Sequence, residues 1–158
     1  MLATRPGRAG SAGWRPQRPG PILQGMATRM QVPPNSDLML GAVCVNKAVP
    51  GRTSWTMVAD ERFANPAGQM QGGFLCAFID TALGAAAVTF VEGRKVFTAN
   101  AELKVSFLAP VAVGTHLRCE AEVVSGGSRV AFAEATVTDE EGKKIARASS
   151  TYLYRDRG

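Results

Sequence analysis

Residues 65–84, NPAGQMQGGFLCAFIDTALG, contain the features that decide the fold of this chain. The stretch opens with Asn65 and reaches the pair Gly72-Gly73, after which the sequence is almost entirely apolar. Glycines at the start of a helix leave its first backbone N–H groups accessible, so that they can bind a negatively charged group. Asp80 is the only charge in the apolar run, and a carboxylate is costly to bury for packing alone. We therefore predict a site in which the helix start polarises a carbonyl and Asp80 supplies a base or a nucleophile.

Length and composition indicate one globular domain. At 158 residues the chain can bury one core but is short for two, and 46% of its residues are apolar. The formal net charge of +5 comes from residues 1–30, which contain five arginines and no acid. The rest of the chain contains the other 13 of the 18 basic residues and all 13 acidic residues, so its net charge is zero. Because no basic stripe is left, we expect no nucleic-acid binding.

The cysteine and histidine content narrows the chemistry. The three cysteines, Cys44, Cys76 and Cys119, are far apart and odd in number, which is typical of free thiols in a reducing compartment. We therefore expect a cytoplasmic protein. His116 is the only histidine, so a His-based triad or a His-rich metal centre would have to use it. We expect no metal and no cofactor.

The N-terminal segment differs in composition from the remainder. Residues 1–35 are rich in Gly, Pro and Arg and show no hydrophobic period, which predicts a disordered extension. Their arginine-rich, acid-free composition also resembles a transit peptide. We favour a flexible extension, or a start codon placed too early, with Met26 or Met30 as the true start. We assign residues 36–158 to the folded domain.

The hydrophobic pattern predicts two strands, one helix and then four strands. Most of the strand segments alternate apolar and polar residues, as half-buried antiparallel strands do. The helix carries one charge and is also long enough for a membrane span. Asp80 in its middle would cost roughly 3 kcal/mol on insertion, so we expect a core helix and no membrane association. The predicted elements are Gly41–Val49, Arg52–Asp60, Gly72–Phe90, Val96–Leu108, Thr115–Ser125, Arg129–Asp139 and Lys144–Tyr154.

These motifs together resemble a known family. Residues 65–84 are similar to the signature of hotdog acyl-CoA thioesterases of the phenylacetate-degradation type, related to 4-hydroxybenzoyl-CoA thioesterases. There an Asn precedes a His-Gly-Gly, and an acidic residue follows seven positions after the second Gly. NAELKVSFLAP at 100–110 is similar to the next strand of the family, and residues 127–154 to its closing hairpin. The resemblance implies an α+β hotdog fold, in which five to six antiparallel strands wrap one long helix.

The resemblance also implies a function and a set of site residues. The activity is hydrolysis of acyl-CoA to a free acid and coenzyme A, which belongs to the substrate, with no separate cofactor. Asp80 matches the catalytic carboxylate, acting as general base or as nucleophile, and Asn65 matches the residue that holds the attacking water. Gly72 and Gly73 match the pair whose N–H groups bind the thioester oxygen. Asn100 falls near a small polar position that assists the water.

Three further residues complete the expected site. Gln71 stands where the family commonly has His; its amide can donate a hydrogen bond but cannot carry a proton at neutral pH. Arg129 follows two glycines and matches a basic position that could contact the phosphates of coenzyme A. Phe74 is a candidate to line the acyl pocket, although a role in core packing would explain this apolar side chain equally well.

Helix geometry adds a requirement for a second copy of the chain. Seven residues separate Gly73 from Asp80, which is about 10 Å along a helix axis. A carbonyl bound at the glycines is then too far from the Asp80 of the same helix. A two-fold dimer with antiparallel central helices would bring the glycines of one copy to the Asp80 of the other. We therefore expect a homodimer with a shared site. We also expect a dimer of dimers, although helix geometry does not decide between dimer and tetramer.

Two other functions stay open at this stage. An acyl-thioester dehydratase or hydratase would use a His paired with a carboxylate, and His116 is poorly placed on the polar side of a strand. A non-catalytic acyl-CoA-binding protein is the second alternative, because the Gln71 replacement can accompany lost catalysis. The identity of the acyl group and the choice between base and nucleophile are not decided by the sequence.

Overall fold

The computed structural model describes residues 32–157, and the residues from Pro33 onward form one compact unit. The elements in chain order are α1 (Asn35–Leu40), β1 (Val43–Asn46), β2 (Arg52–Val58), α2 (Gly72–Phe90), β3 (Val96–Phe107), β4 (His116–Gly126), β5 (Val130–Thr138) and β6 (Lys144–Asp156). One antiparallel sheet holds the six strands in the order β1-β2-β4-β5-β6-β3. The long helix α2 contacts five of them, β2 to β6. A single-turn 3-10 helix at Glu61–Phe63 precedes α2.

The long helix α2 forms the centre of the domain. Its buried residues recur at intervals of three and four, so they make one stripe that packs on the sheet. By length and composition α2 could also cross a membrane. The core helices of globular domains can be equally long and apolar, and α2 packs on the sheet. The hotdog arrangement that the resemblance implies is confirmed. The buried stripe consists of Leu75, Phe78, Ile79, Ala82, Leu83, Ala86 and Ala87.

The long strand β3 contains a bulge that matters for the site. Its pairing with β6 shifts register between Asn100 and Glu102, so Ala101 is an extra residue. Before the bulge the more buried residues have even numbers, such as Thr98; after it they have odd numbers, such as Leu103. The bulge therefore lets Asn100 point toward α2 while the apolar residues after it still face the core.

The strand β3 also lies at an edge of the sheet. Its other side pairs with no strand among residues 32–157. It is 12 residues long, and Phe97 and Phe107 are each about half exposed at its two ends. Long unpaired edges are rare in isolated proteins because they offer a row of free backbone groups to another chain.

The predicted elements are all present, with two differences near the N-terminus. The first strand is shorter than predicted, Val43–Asn46. The sequence did not predict α1, which is held by Asp37: its buried carboxylate accepts a hydrogen bond from the Thr81 hydroxyl of α2 at 3.0 Å. A tertiary contact stabilises this short helix, so local pattern could not reveal it. The predicted disorder before the domain falls mostly on residues 1–31, which lie outside the described part.

Candidate active site

Asp80 lies halfway along α2 and is half-buried. Two side chains donate hydrogen bonds to the same oxygen, Oδ1: the Tyr152 hydroxyl at 2.8 Å and the Asn100 amide at 2.6 Å. The Tyr152 hydroxyl also lies 3.3 Å from the backbone carbonyl oxygen of Asp80. The carboxylate is thus held by two strands, β3 and β6, in one orientation.

The orientation of the Asn100 amide follows from its neighbours. Its Oδ1 accepts the backbone N–H of Glu102 at 3.1 Å and lies 2.9 Å from the Ser150 hydroxyl. A backbone N–H is only a donor, so the amide oxygen must face it, and the amide nitrogen must face Asp80. The bulge in β3 supplies that N–H. Of the residues predicted from the sequence, Asp80 and Asn100 are therefore brought together directly.

Tyr152 was not among the predicted site residues. Burial raises the pKa of its hydroxyl, and the hydrogen bond to Asp80 raises it further. The hydroxyl therefore stays protonated, and stays a donor, through the neutral and moderately alkaline range. The alternation of Ser150, Tyr152 and Tyr154 on β6 indicates one inward face. That pattern could have marked Tyr152 as buried, but not as a partner of Asp80, because the pairing register is needed for that.

The other part of the predicted site lies at the start of α2. Gln71 precedes the helix in extended backbone (φ −65°, ψ 130°), is exposed, and its side chain does not cap the helix. The first N–H groups of an α-helix have no partner within it. The N–H groups of Gly72 and Gly73 accordingly make no hydrogen bond to the described residues. They are free to bind an oxygen that carries negative charge.

An apolar cavity of about 390 Å³ opens beside these amides. A Cβ added at Gly72 would lie 3.0 Å from the ring of Phe107, so glycine allows that ring to approach the helix start. The cavity offers room for an apolar group next to the free N–H groups. It is lined by Met70, Gly72, Leu75, Phe107, Leu108, Ala109, Pro110 and Val111.

Asn65 organises the loop that leads into α2. Its side-chain oxygen accepts the backbone N–H groups of Ala67 at 2.9 Å and Gln69 at 3.2 Å, as asparagines in turns commonly do. Its side-chain nitrogen makes no hydrogen bond within residues 32–157. Asn65 therefore builds the turn with one atom and leaves the other as a donor near the start of α2.

Phe74 and Arg129 lie away from the Asp80 network. The Phe74 ring stacks on Phe63 with 4.5 Å between centroids, which is a packing role. Arg129 is exposed just before β5, and its backbone oxygen accepts the N–H of Tyr154. Its guanidinium forms no ion pair with the described residues, whereas the nearby Arg94 is held by Asp156 at 2.7 Å.

The glycines and Asp80 do not meet within one chain. Gly73 and Asp80 are seven residues apart on an unbroken helix, so about 10 Å separates them along its axis. A carbonyl oxygen bound at the helix start would be out of reach of the Asp80 carboxylate. One copy of the chain therefore contains two separate candidate half-sites, the start of α2 and the Asp80 carboxylate.

Other chemistry has little support in the described part of the chain. Cys76 lies one turn before Asp80, but burial raises the pKa of its thiol, which lowers the thiolate fraction that a nucleophile needs. Burial likewise raises the pKa of Cys119 to about 12. No cluster of three or more His, Cys, Asp or Glu side chains suited to a metal occurs among residues 32–157.

Comparisons with known proteins agree with the fold. The sequence model of the thioesterase superfamily matches residues 67–146. Human acyl-coenzyme A thioesterase 13 is 24% identical over 118 residues, which are 74% of this chain and 83% of that protein. A Ralstonia eutropha structure, described as a phenylacetic acid degradation-related protein, has a TM-score of 0.68 and is 30% identical; the match covers 84% of this chain and 96% of that one.

One structural neighbour was solved with a ligand. A Streptococcus pneumoniae protein, described as a hypothetical thioesterase and solved with coenzyme A, has a TM-score of 0.67 and 17% identity. The match covers 73% of this chain and 87% of that one. At this identity the likeness concerns the fold.

Proposed function

The chain belongs to the thioesterase superfamily, and from this premise we propose that it hydrolyses acyl-CoA thioesters to a free acid and coenzyme A. The observation that supports this best is a half-buried carboxylate, held by two donors, on a helix whose first N–H groups are free. Asp80 supplies the base or nucleophile, and Gly72 and Gly73 supply donors for the oxyanion. The name of the human relative and the coenzyme A of the pneumococcal neighbour support acyl-CoA as the substrate.

The reaction follows one of two routes that share the same donors. In the first, Asp80 takes a proton from a water while the water oxygen attacks the carbonyl carbon; the C–S bond then breaks and the coenzyme A thiolate takes up a proton. In the second, the carboxylate itself attacks the carbonyl carbon and the C–S bond breaks, which releases the coenzyme A thiolate; water then hydrolyses the anhydride to the free acid and the Asp80 carboxylate, and the proton lost by the water goes to the thiolate. In both, negative charge develops on the carbonyl oxygen, where one N–H donor is typically worth about 3 kcal/mol of barrier.

A homodimer would unite the two half-sites. The free edge of β3 offers backbone groups to a second β3, and the exposed side of α2 carries the small residues Gly73 and Ala77. Gly72 lies at the Phe107 end of β3, while Asp80 bonds Asn100 nearer the middle. Antiparallel pairing that sets Phe107 beside the partner's Asn100 brings one copy's glycines toward the other's carboxylate. A dimer of dimers and a cytoplasmic location stay predictions.

The direct test is release of thiol from a panel of acyl-CoA substrates by the purified protein. We expect turnover of at least one acyl chain or ring, and the fastest substrate identifies the acyl group. Saturable binding of acyl-CoA without thiol release would instead support the non-catalytic alternative. A dehydratase or hydratase would change the acyl chain and leave the thioester intact, which mass spectrometry of the products distinguishes.

Gln71 gives a prediction about the oxyanion donors. Its exposed side chain stands at the helix start and can donate to the thioester oxygen. We expect Gln71→Ala to lower kcat about tenfold, since one hydrogen-bond donor is lost. Gln71→Glu should lower kcat further, because it keeps the size and places a negative charge where the oxyanion forms. Steady-state kinetics of both variants would test this. Equal kcat values for Gln71→Glu and the wild type would show that this side chain does not contact the oxyanion.

Arg129 gives a prediction about coenzyme A. Its guanidinium is exposed and unpaired with respect to the described residues, so it can contact a phosphate. We expect Arg129→Ala to raise KM for acyl-CoA roughly fivefold to tenfold with little change in kcat, since the contact is remote from the chemistry. The matched substrate is an acyl-pantetheine without the nucleotide, for which KM should not change. A similar rise for both substrates would contradict phosphate recognition.

A further inference from the structure

Tyr152 and Asp80 form a contact that the expected site did not include. We propose that the Tyr152 hydroxyl is a positioning group, which holds Oδ1 of Asp80 so that the other oxygen, Oδ2, is the one that reacts. This inference rests on the proposed function, because it assigns a task within the same reaction.

The two oxygens of the Asp80 carboxylate have different surroundings. Oδ1 accepts two hydrogen bonds, from Tyr152 at 2.8 Å and from Asn100 at 2.6 Å. Two donors fill the lone pairs of one carboxylate oxygen. Oδ2 accepts no hydrogen bond from the described residues. It is therefore the oxygen free to bind a water or to attack a carbonyl.

Tyr152 is itself fixed in place. Only 3% of the residue is exposed, and it lies on β6 between paired strands. Its hydroxyl packs against Gly84, one helical turn beyond Asp80, where an added Cβ would be 3.6 Å away. That distance is an ordinary van der Waals contact, so the hydroxyl lies close against α2 beside Asp80. A rigid donor of this kind can hold an acid in one rotamer, as preorganised catalysis requires.

The second donor depends on a separate set of bonds. The Asn100 amide is held by the Glu102 N–H of the β3 bulge and by Ser150 of β6. The Asn100 nitrogen also lies 3.4 Å from the Tyr152 hydroxyl oxygen. The two donors therefore support each other, and removing the hydroxyl leaves Oδ1 with one donor, so the carboxylate is held less firmly in one rotamer.

The chain provides a matched control for this idea. Tyr154 lies two residues further along β6, is 8% exposed, and donates its hydroxyl to the backbone oxygen of Ala87 in the same helix at 2.7 Å. Tyr152→Phe and Tyr154→Phe each remove one buried hydroxyl and one hydrogen bond to α2. Only the first touches Asp80, so a general effect on the fold should appear in both variants.

The test compares kcat, KM and melting temperature of the full chain and the two variants with one acyl-CoA. We expect Tyr152→Phe to lower kcat roughly 10- to 100-fold with KM within about twofold. Tyr154→Phe should keep kcat within about twofold, with a similar loss of melting temperature. Full kcat in Tyr152→Phe, equal kcat losses in both variants, or failure of Tyr152→Phe alone to fold would each overturn the proposal.

A double-variant cycle separates this inference from the proposed function. In an Asp80→Asn background, Tyr152→Phe should lower the residual kcat by less than about twofold, because the hydroxyl acts through the carboxylate. A full additional loss would mean that Tyr152 acts independently of Asp80. If the wild type releases no thiol, the proposed function fails. If Asp80→Asn stays active, the role of Asp80 fails and the positioning role with it; if only Tyr152→Phe stays active, the positioning role fails alone.

Discussion

Asp80→Asn is expected to lower kcat for acyl-CoA hydrolysis by roughly a thousandfold, the scale of a lost general base. An amide can neither take a proton from water nor attack a carbonyl carbon at neutral pH. The fold should survive, because the asparagine oxygen can still accept from Tyr152 and Asn100, as Oδ1 does. Thiol release under saturating substrate measures the loss, and circular dichroism with thermal melting checks the fold.

Asp37 provides the control for that experiment. It is also a buried acid against α2, 6% exposed, and it accepts a hydrogen bond from Thr81, the residue next to Asp80. Asp37→Asn should alter stability and leave kcat within about twofold, since the contact fastens α1 rather than the site. Comparable losses in the two variants would point to a disturbed helix. Turnover that persists in Asp80→Asn would remove Asp80 from the mechanism and favour a different chemistry.

The sequence was sufficient for the features that depend on local pattern and on a single helix. The apolar run with one acid predicted α2 and drew attention to Asp80, and period-two alternation predicted the strands that wrap it. The distance from Gly73 to Asp80 also followed from the sequence, because helix rise per residue is nearly constant. These inferences need no knowledge of which strand lies beside which.

The features that the sequence missed depend on register and on tertiary contact. Tyr152 reaches Asp80 because β6 lies between β5 and β3 and turns this side chain toward α2. The family resemblance had indicated Asn100, but its contact with Asp80 also depends on register, because a bulge at Ala101 changes which residues of β3 point inward. A bulge adds one residue without a clear local signature, so strict alternation would have been a poor guide to this part of the site.

A mixing experiment tests whether two copies share each site. Asp80→Asn removes the carboxylate, and Gly72→Pro removes an N–H donor from the helix start. Proline is well accepted at the first helical position, and Gln71 already has the extended backbone that a following proline requires. The added ring would meet Phe107, whose side chain is about half exposed and can move. We expect each variant alone to lose at least a hundredfold in kcat.

Together, the two inactive variants should recover activity. In a mixed dimer, the intact Gly72 of the first chain meets the intact Asp80 of the second, which restores one of two sites. With random exchange of subunits, half of the dimers are mixed, so activity should reach roughly a quarter of wild type. A chain carrying both changes, mixed with either single variant, should remain inactive.

If mixed dimers form, as mass spectrometry can show, and activity stays at the level of the single variants, each site lies within one chain. The shared site would then be wrong. The helix start and Asp80 could also not act on the same thioester, because about 10 Å separates Gly73 from Asp80 along one helix.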